Sequence, residues 1–144
     1  MTPVISSSAT VLFQGDSITD CGRDRANDSN LGSGYPAMVA AWFAARQPAA
    51  RVRNELGALL VILEPFVLPV PADRVAWRDD LDPKIQAARR VAADFGAVYV
   101  PLDGMFARAA AQRDAAFWAG DGVHPSPAGH ARIAQAWLEA VGTA

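Results

Sequence analysis

"ALLVILEPF", residues 58–66, is the strongest buried-strand signal in the sequence. From Ala58 to Leu63 it shows no polar alternation, the pattern of a strand covered on both faces, and it stops at Pro65, which cannot donate to a ladder. "AVYVPL" (Ala97 to Leu102) and the shorter Thr10 to Phe13 read the same way. Between and after these runs the apolar spacing turns helical. In "YPAMVAAWFAAR" (Tyr35 to Arg46), Met38, Trp42 and Ala45 share a face, Pro36 suits a first turn, and Pro48 ends the helix. Asp82-Pro83 reads as an N-cap followed by a first-turn proline, with Ile85, Ala88, Ala92 and Phe95 on one face until Gly96. Ser126-Pro127 repeats that signature, and Ile133, Ala134, Trp137 and Val141 give the last helix its stripe. Strands alternating with helices predict an α/β domain with a parallel sheet. The proline-rich segment Glu64 to Asp82 reads as an irregular loop lining a site.

Composition narrows the class. The 144 residues suit a single domain, residues 1–144, and 51% hydrophobic with 19% charged residues is a globular balance. A formal charge of −2 gives no reason to expect nucleic acid or an anionic membrane as partner. The single Cys21 excludes an internal disulfide. Neither a signal peptide nor a membrane-spanning run is legible, so a soluble, cytoplasmic protein is the expectation.

In open parallel sheets, ligands bind outside the carboxyl ends of the strands. Gly15-Asp16-Ser17 follows the first apolar run at such an end. Glycine, aspartate and serine are also ordinary turn formers, so these residues alone read more readily as a turn than as a site. The second constellation, "WAGDGVHPSPAGH" (residues 118–130), holds both histidines of the chain. Asp121 and His124 stand three apart in a loop before the last helix. A serine hydroxyl attacks an ester only when a base takes its proton; an imidazole can do so if an acceptor on its other nitrogen fixes its tautomer. Ser17, His124 and Asp121 could supply nucleophile, base and orienting acceptor. Each also has a structural use: Asp121 as a loop-capping carboxylate, His124 bonded to backbone. His130, within the last helix, reads as a solvent-facing or packing residue.

"TVLFQGDSITD" and "DGVHPSPAGHARIAQAWLEAV" closely resemble the two end blocks of the SGNH, or GDSL, hydrolases, while "VILEPFVLPV" and "YVPLDGMF" resemble segments between them in the bacterial esterase and lysophospholipase-like branch. The resemblance implies a three-layer α/β/α sandwich with a flavodoxin-like parallel sheet. It also implies a serine ester hydrolase with Ser17 as nucleophile, His124 as base and Asp121 as its partner, acting on a small-molecule ester without a cofactor. The family builds its oxyanion hole from the nucleophile's backbone N–H, here that of Ser17, a glycine N–H and an asparagine side chain. The two blocks supplying the last two are missing: Gly57 stands three residues past Asn54 where the family has two, and no Gly-x-Asn-Asp occurs. An internal deletion around residues 54–58 is implied, with a central strand and its helices lost.

The gap has physical consequences. Were Arg51–Arg53 a strand parallel to Ala58–Leu63, the link would need roughly a dozen residues, and only Asn54 to Gly57 stand between. The stretch is therefore expected to be irregular, an edge piece or a hairpin arm. Reduced stability, or a homo-oligomer covering the uncovered edge, follows. Missing oxyanion donors would weaken catalysis, leaving open a non-catalytic remnant that binds a small ligand. A metal-dependent phosphoesterase using Asp16, Asp121 and His124 is the remaining alternative, though divalent sites draw on more ligands. Asp16, Phe66 and Trp118 are candidate substrate contacts, with Trp77 beside them, although aromatic residues more often pack.

Overall fold

A computed structural model describes residues 11–27, 30–46 and 60–142. Asn54, Gly57, the Arg51–Arg53 segment and the implied deletion lie outside these, as do the side chains of Trp42 and Ala45. The chain divides into two compact units, Met1–Ala58 with His130–Ala144, and Leu59–Gly129. Among the described residues, no helix is long and apolar enough to cross a membrane.

In the first unit, helix α1 spans Tyr35–Arg46, as the spacing predicts. The strand expected at Thr10–Phe13 is not formed over its described part. Residues 11–13 have no ladder partner among the described residues, and Leu12 is 80% exposed, whereas a doubly covered strand would bury it. Phe13 packs inward instead, with ring centroids 5.6 Å from both Tyr35 and Trp137. The last helix, α5, spans Pro127–Ala140, and Ile133, Ala134, Trp137 and the following Val141 are all buried, as their periodicity requires. His130 is buried too, not solvent-facing: its Nδ1 accepts the Tyr35 N–H at 3.1 Å. It thereby satisfies one of the orphan donors at the start of α1. Burial lowers the His130 pKa from its ordinary value.

In the second unit, β1 (Val61–Leu63) and β2 (Val98–Val100) run parallel, pairing Val61 with Val98 and Leu63 with Val100. Glu64 N–H to Val100 O and Val98 N–H to Leu60 O, both 2.9 Å, carry the hydrogen bonding just beyond the ladder. The crossover between the strands holds a 3-10 helix, Ala72–Trp77, which runs directly into α2, Arg78–Asp94. The expected loop thus ends earlier than Asp82, and Pro83 lies inside α2 rather than in its first turn. Pro83 forfeits one backbone bond in the second turn. Ion pairs from Arg78 to Asp82 and Lys84 to Asp80, each 2.5 Å, bracket it. Ile85 and Ala92 are buried as expected, but Phe95 is 74% exposed because α2 ends at Asp94 and Gly96 turns the chain at φ +60°.

Helices α3 (Leu102–Ala110) and α4 (Ala115–Trp118) have no counterpart in the sequence reading. Leu102, Phe106 and Ala109 line the buried face of α3, and the Phe106 ring lies 4.3 Å from that of Phe66. No local side chain caps α3, because Pro101 precedes it. The cap comes from far away in sequence: Glu64 Oε2 accepts the Asp103 N–H at 3.0 Å. Glu64 Oε1 accepts from Tyr99 Oη at 2.8 Å and from Arg89 Nη2 at 2.7 Å. One fully buried carboxylate thus ties the end of β1 to α2, β2 and α3. It also raises the Tyr99 pKa to about 12, after the larger effect of burial.

Candidate active site

Ser17 belongs to the first unit, where residues 16–22 form a turn. Asp16 makes that turn: its Oδ1 accepts the Ile18 N–H at 3.0 Å and its carbonyl accepts the Asp20 N–H at 2.9 Å. The Thr19 side chain packs against Gly15, so a Cβ there would displace the Thr19 hydroxyl. Ser17 itself is exposed, and neither its hydroxyl nor its N–H has a hydrogen-bond partner among the described residues.

Asp121 and His124 belong to the second unit and are brought together. Asp121 Oδ1 accepts the backbone N–H groups of Val123 at 3.0 Å and His124 at 2.8 Å, and Oδ2 lies 2.6 Å from His124 Nδ1. The loop therefore folds onto its own carboxylate, as a three-residue spacing allows. Hydrogen bonds from the His124 ring, then from its backbone N–H, hold the Asp121 carboxyl well below the usual carboxylate range. An ionised carboxylate only accepts, so Nδ1 is the donor of this pair, and in the neutral imidazole Nε2 then carries the lone pair. With the His124 side chain 62% exposed, that lone pair is open to a substrate-side donor.

The neighbouring backbone fixes this loop. Gly122 has φ +85°, and a Cβ there would lie 2.4 Å from Val70 O and 2.6 Å from Leu68 O. The Leu68 N–H donates to Gly122 O at 2.9 Å. On the other side, Ser126 caps α5, its Oγ accepting the Gly129 N–H at 3.2 Å while donating to Phe117 O at 2.7 Å.

No family model matches the sequence, and neither does any curated protein. Among solved structures, a GDSL-like lipase from Parabacteroides merdae superposes with a TM-score of 0.84 at 24% identity, over 95% of this chain and 97% of that one. An acetyl xylan esterase from Geobacillus stearothermophilus gives 0.75 at 21% identity, over 88% and 91%. This chain has the SGNH hydrolase fold. An α/β hydrolase enzyme from the metagenome of Lake Arreo matches as well, with a TM-score of 0.75 at 25% identity over 89% and 92%.

Within the SGNH fold, the remaining candidates are placed as follows. Phe66 is buried against Phe106, and Trp118 packs edge-on to Phe117 with centroids 4.9 Å apart. Trp77 is 45% exposed beneath the Arg74 guanidinium. Among the described residues, no three of His, Cys, Asp and Glu group as a metal site. One residue escaped the sequence reading: Arg74, whose Nε donates to Asp121 O at 3.1 Å. Only the folded loop brings together residues 47 positions apart, so no local pattern marks it.

Proposed function

We propose that this chain is a serine ester hydrolase acting on small acyl or acetyl esters, with Ser17 as nucleophile, His124 as base and Asp121 as its orienting partner. The observation that carries the proposal is the 2.6 Å bond between Asp121 Oδ2 and His124 Nδ1, which leaves Nε2 as the basic nitrogen. His124 takes the Ser17 hydroxyl proton as Oγ attacks the ester carbonyl, then returns it to the departing alcohol. Water attacks the resulting acyl-enzyme by the same route, releasing the acid and restoring Ser17. Asp121 stays ionised throughout and stabilises the imidazolium. The Ser17 backbone N–H serves as one oxyanion donor. The glycine and asparagine donors are absent from the sequence, taken as lost with the segment around residues 54–58, and each missing donor slows the reaction by about 10²- to 10³-fold. The proposal is therefore of a slow esterase. An acetylated sugar falls within the proposed substrate class, given the acetyl xylan esterase among the structural neighbours.

A fluorophosphonate probe tests the nucleophile directly, because it reports attack by serine without requiring turnover. Labelling of the wild-type protein and none of Ser17→Ala is the expected result. A folded wild-type protein that stays unlabelled would sink the esterase reading.

A further inference from the structure

The Asp121 carboxylate is held by N–H groups of its own loop, so the geometry of the pair depends on what holds that loop. Three successive backbone contacts do so: Gly122 N–H to Ala119 O at 3.1 Å, Leu68 N–H to Gly122 O at 2.9 Å, and Arg74 Nε to Asp121 O at 3.1 Å. Arg74 alone contributes a side chain, and that side chain is itself fixed from several directions. Its guanidinium carbon lies 4.1 Å from the centroid of the Trp77 ring, and Nη1 bonds Asp73 Oδ2 at 2.9 Å. Its Cγ stands 3.2 Å from where a Gly122 Cβ would be, and only 20% of the side chain is exposed. With Val67, Leu68, Val75 and Ala107, Arg74 also lines a cleft of about 310 Å³. A stacked, ion-paired guanidinium loses little freedom on donating a further hydrogen bond, which is why arginine suits this task and lysine does not.

We infer that Arg74 is a positioning residue for the Asp121–His124 pair, fixing the Asp121 peptide through its Nε–H···O bond so that the carboxylate meets the His124 ring. This inference rests on the esterase reading for its catalytic consequence, but not for its geometry. Arg74 acts through the Asp121 carbonyl and touches no reacting atom. Without that donor, the peptide between Asp121 and Gly122 is held only through its N–H, by Ala119 O, and its carbonyl side can tilt, carrying the carboxylate with it; displacements of about 1 Å cost up to about 10²-fold in rate.

The test is Arg74→Met, which keeps an aliphatic stem against Gly122 and removes the donor, with Arg74→Lys beside it, which keeps the charge. Two readouts are taken: the low-field proton resonance of His124 Nδ1–H, and kcat and KM for p-nitrophenyl acetate. Both variants are expected to lose or broaden the resonance and to lower kcat by up to about 10²-fold with KM unchanged. An undiminished resonance in Arg74→Met overturns the inference. So does a lysine variant that restores both resonance and kcat, since any cationic donor would then suffice in place of the stacked guanidinium. Should Arg74→Met fail to fold, Trp77→Leu, which removes the platform under the guanidinium, is read in the same way. If the wild-type protein hydrolyses no ester, the resonance still decides the role of Arg74, so failure of the two proposals is distinguishable.

Discussion

Replacing Asp121 by Asn probes the proposed chemistry with little change of shape. The Asn side-chain oxygen can keep the two backbone bonds that Oδ1 now accepts, from Val123 at 3.0 Å and His124 at 2.8 Å. The amide nitrogen then occupies the place of Oδ2, 2.6 Å from His124 Nδ1, and presents a donor to a donor. The ring is relieved by moving its proton to Nε2, leaving Nδ1 to accept. The nitrogen meant to take the serine proton is then already protonated. An inverted tautomer in a triad of this kind costs roughly 10⁴-fold in kcat, equivalent to about 5 kcal/mol of barrier.

Stability should barely move. Both side chains are about half exposed, and such a pair contributes at most about 1 kcal/mol. The assay is kcat for p-nitrophenyl acetate alongside a thermal melt on the same preparation. A loss of roughly 10⁴-fold with an unchanged melting temperature is expected. If Asp121→Asn kept activity within about tenfold of wild type while Ser17→Ala abolished it, the tautomer argument would fail, and Asp121 would be a loop cap only.

Two further outcomes follow from the fold. Glu64→Ala strands the Asp103 N–H and the Tyr99 hydroxyl, at about 1–3 kcal/mol for each donor left unsatisfied; a urea titration with an unshifted midpoint would show that the carboxylate does not hold the unit together. His130 accepts the Tyr35 N–H only when neutral, and its lowered pKa means that the unfolded chain takes up a proton first as the pH falls. Stability should therefore rise with pH up to about 6.5 and fall below it, and His130→Asn, which can still accept but does not titrate, should flatten that slope in melting temperature against pH.

The fold was legible where structure is local. The α5 stripe and its Ser126-Pro127 start, α1, and the two apolar runs that became β1 and β2 all rest on spacing, capping residues and proline placement within a few positions. What was illegible depends on distant partners. Helix α3 follows Pro101 without a local cap and is capped instead by Glu64, some forty residues earlier. The Asp82-Pro83 pair misled because a 3-10 helix feeds α2 from upstream, so that helix needs no fresh start. Residues 11–13 misled because an apolar run becomes a strand only when a neighbour takes its N–H and C=O groups, and none of the described residues does.

The same division runs through the candidate site. A three-residue loop spacing is a local instruction, and the Asp121–His124 bond follows from it with the glycine the turn requires. The loop's anchors are not local. Leu68 and Val70 crowd Gly122 from the segment after β1, and Arg74 reaches Asp121 from the 3-10 helix, so the crossover segment that read as a proline-rich loop is what braces the loop. That explains why a carboxylate and an imidazole, each about half exposed, can nevertheless hold a defined geometry. Their own side chains are half open to solvent, while the backbone that carries them is closed in by Gly122 on one side and the Ser126 cap on the other. The precision of the pair is therefore a property of the second unit as a whole. Substitutions in the crossover segment, outside the pair itself, should alter its chemistry before they alter its stability.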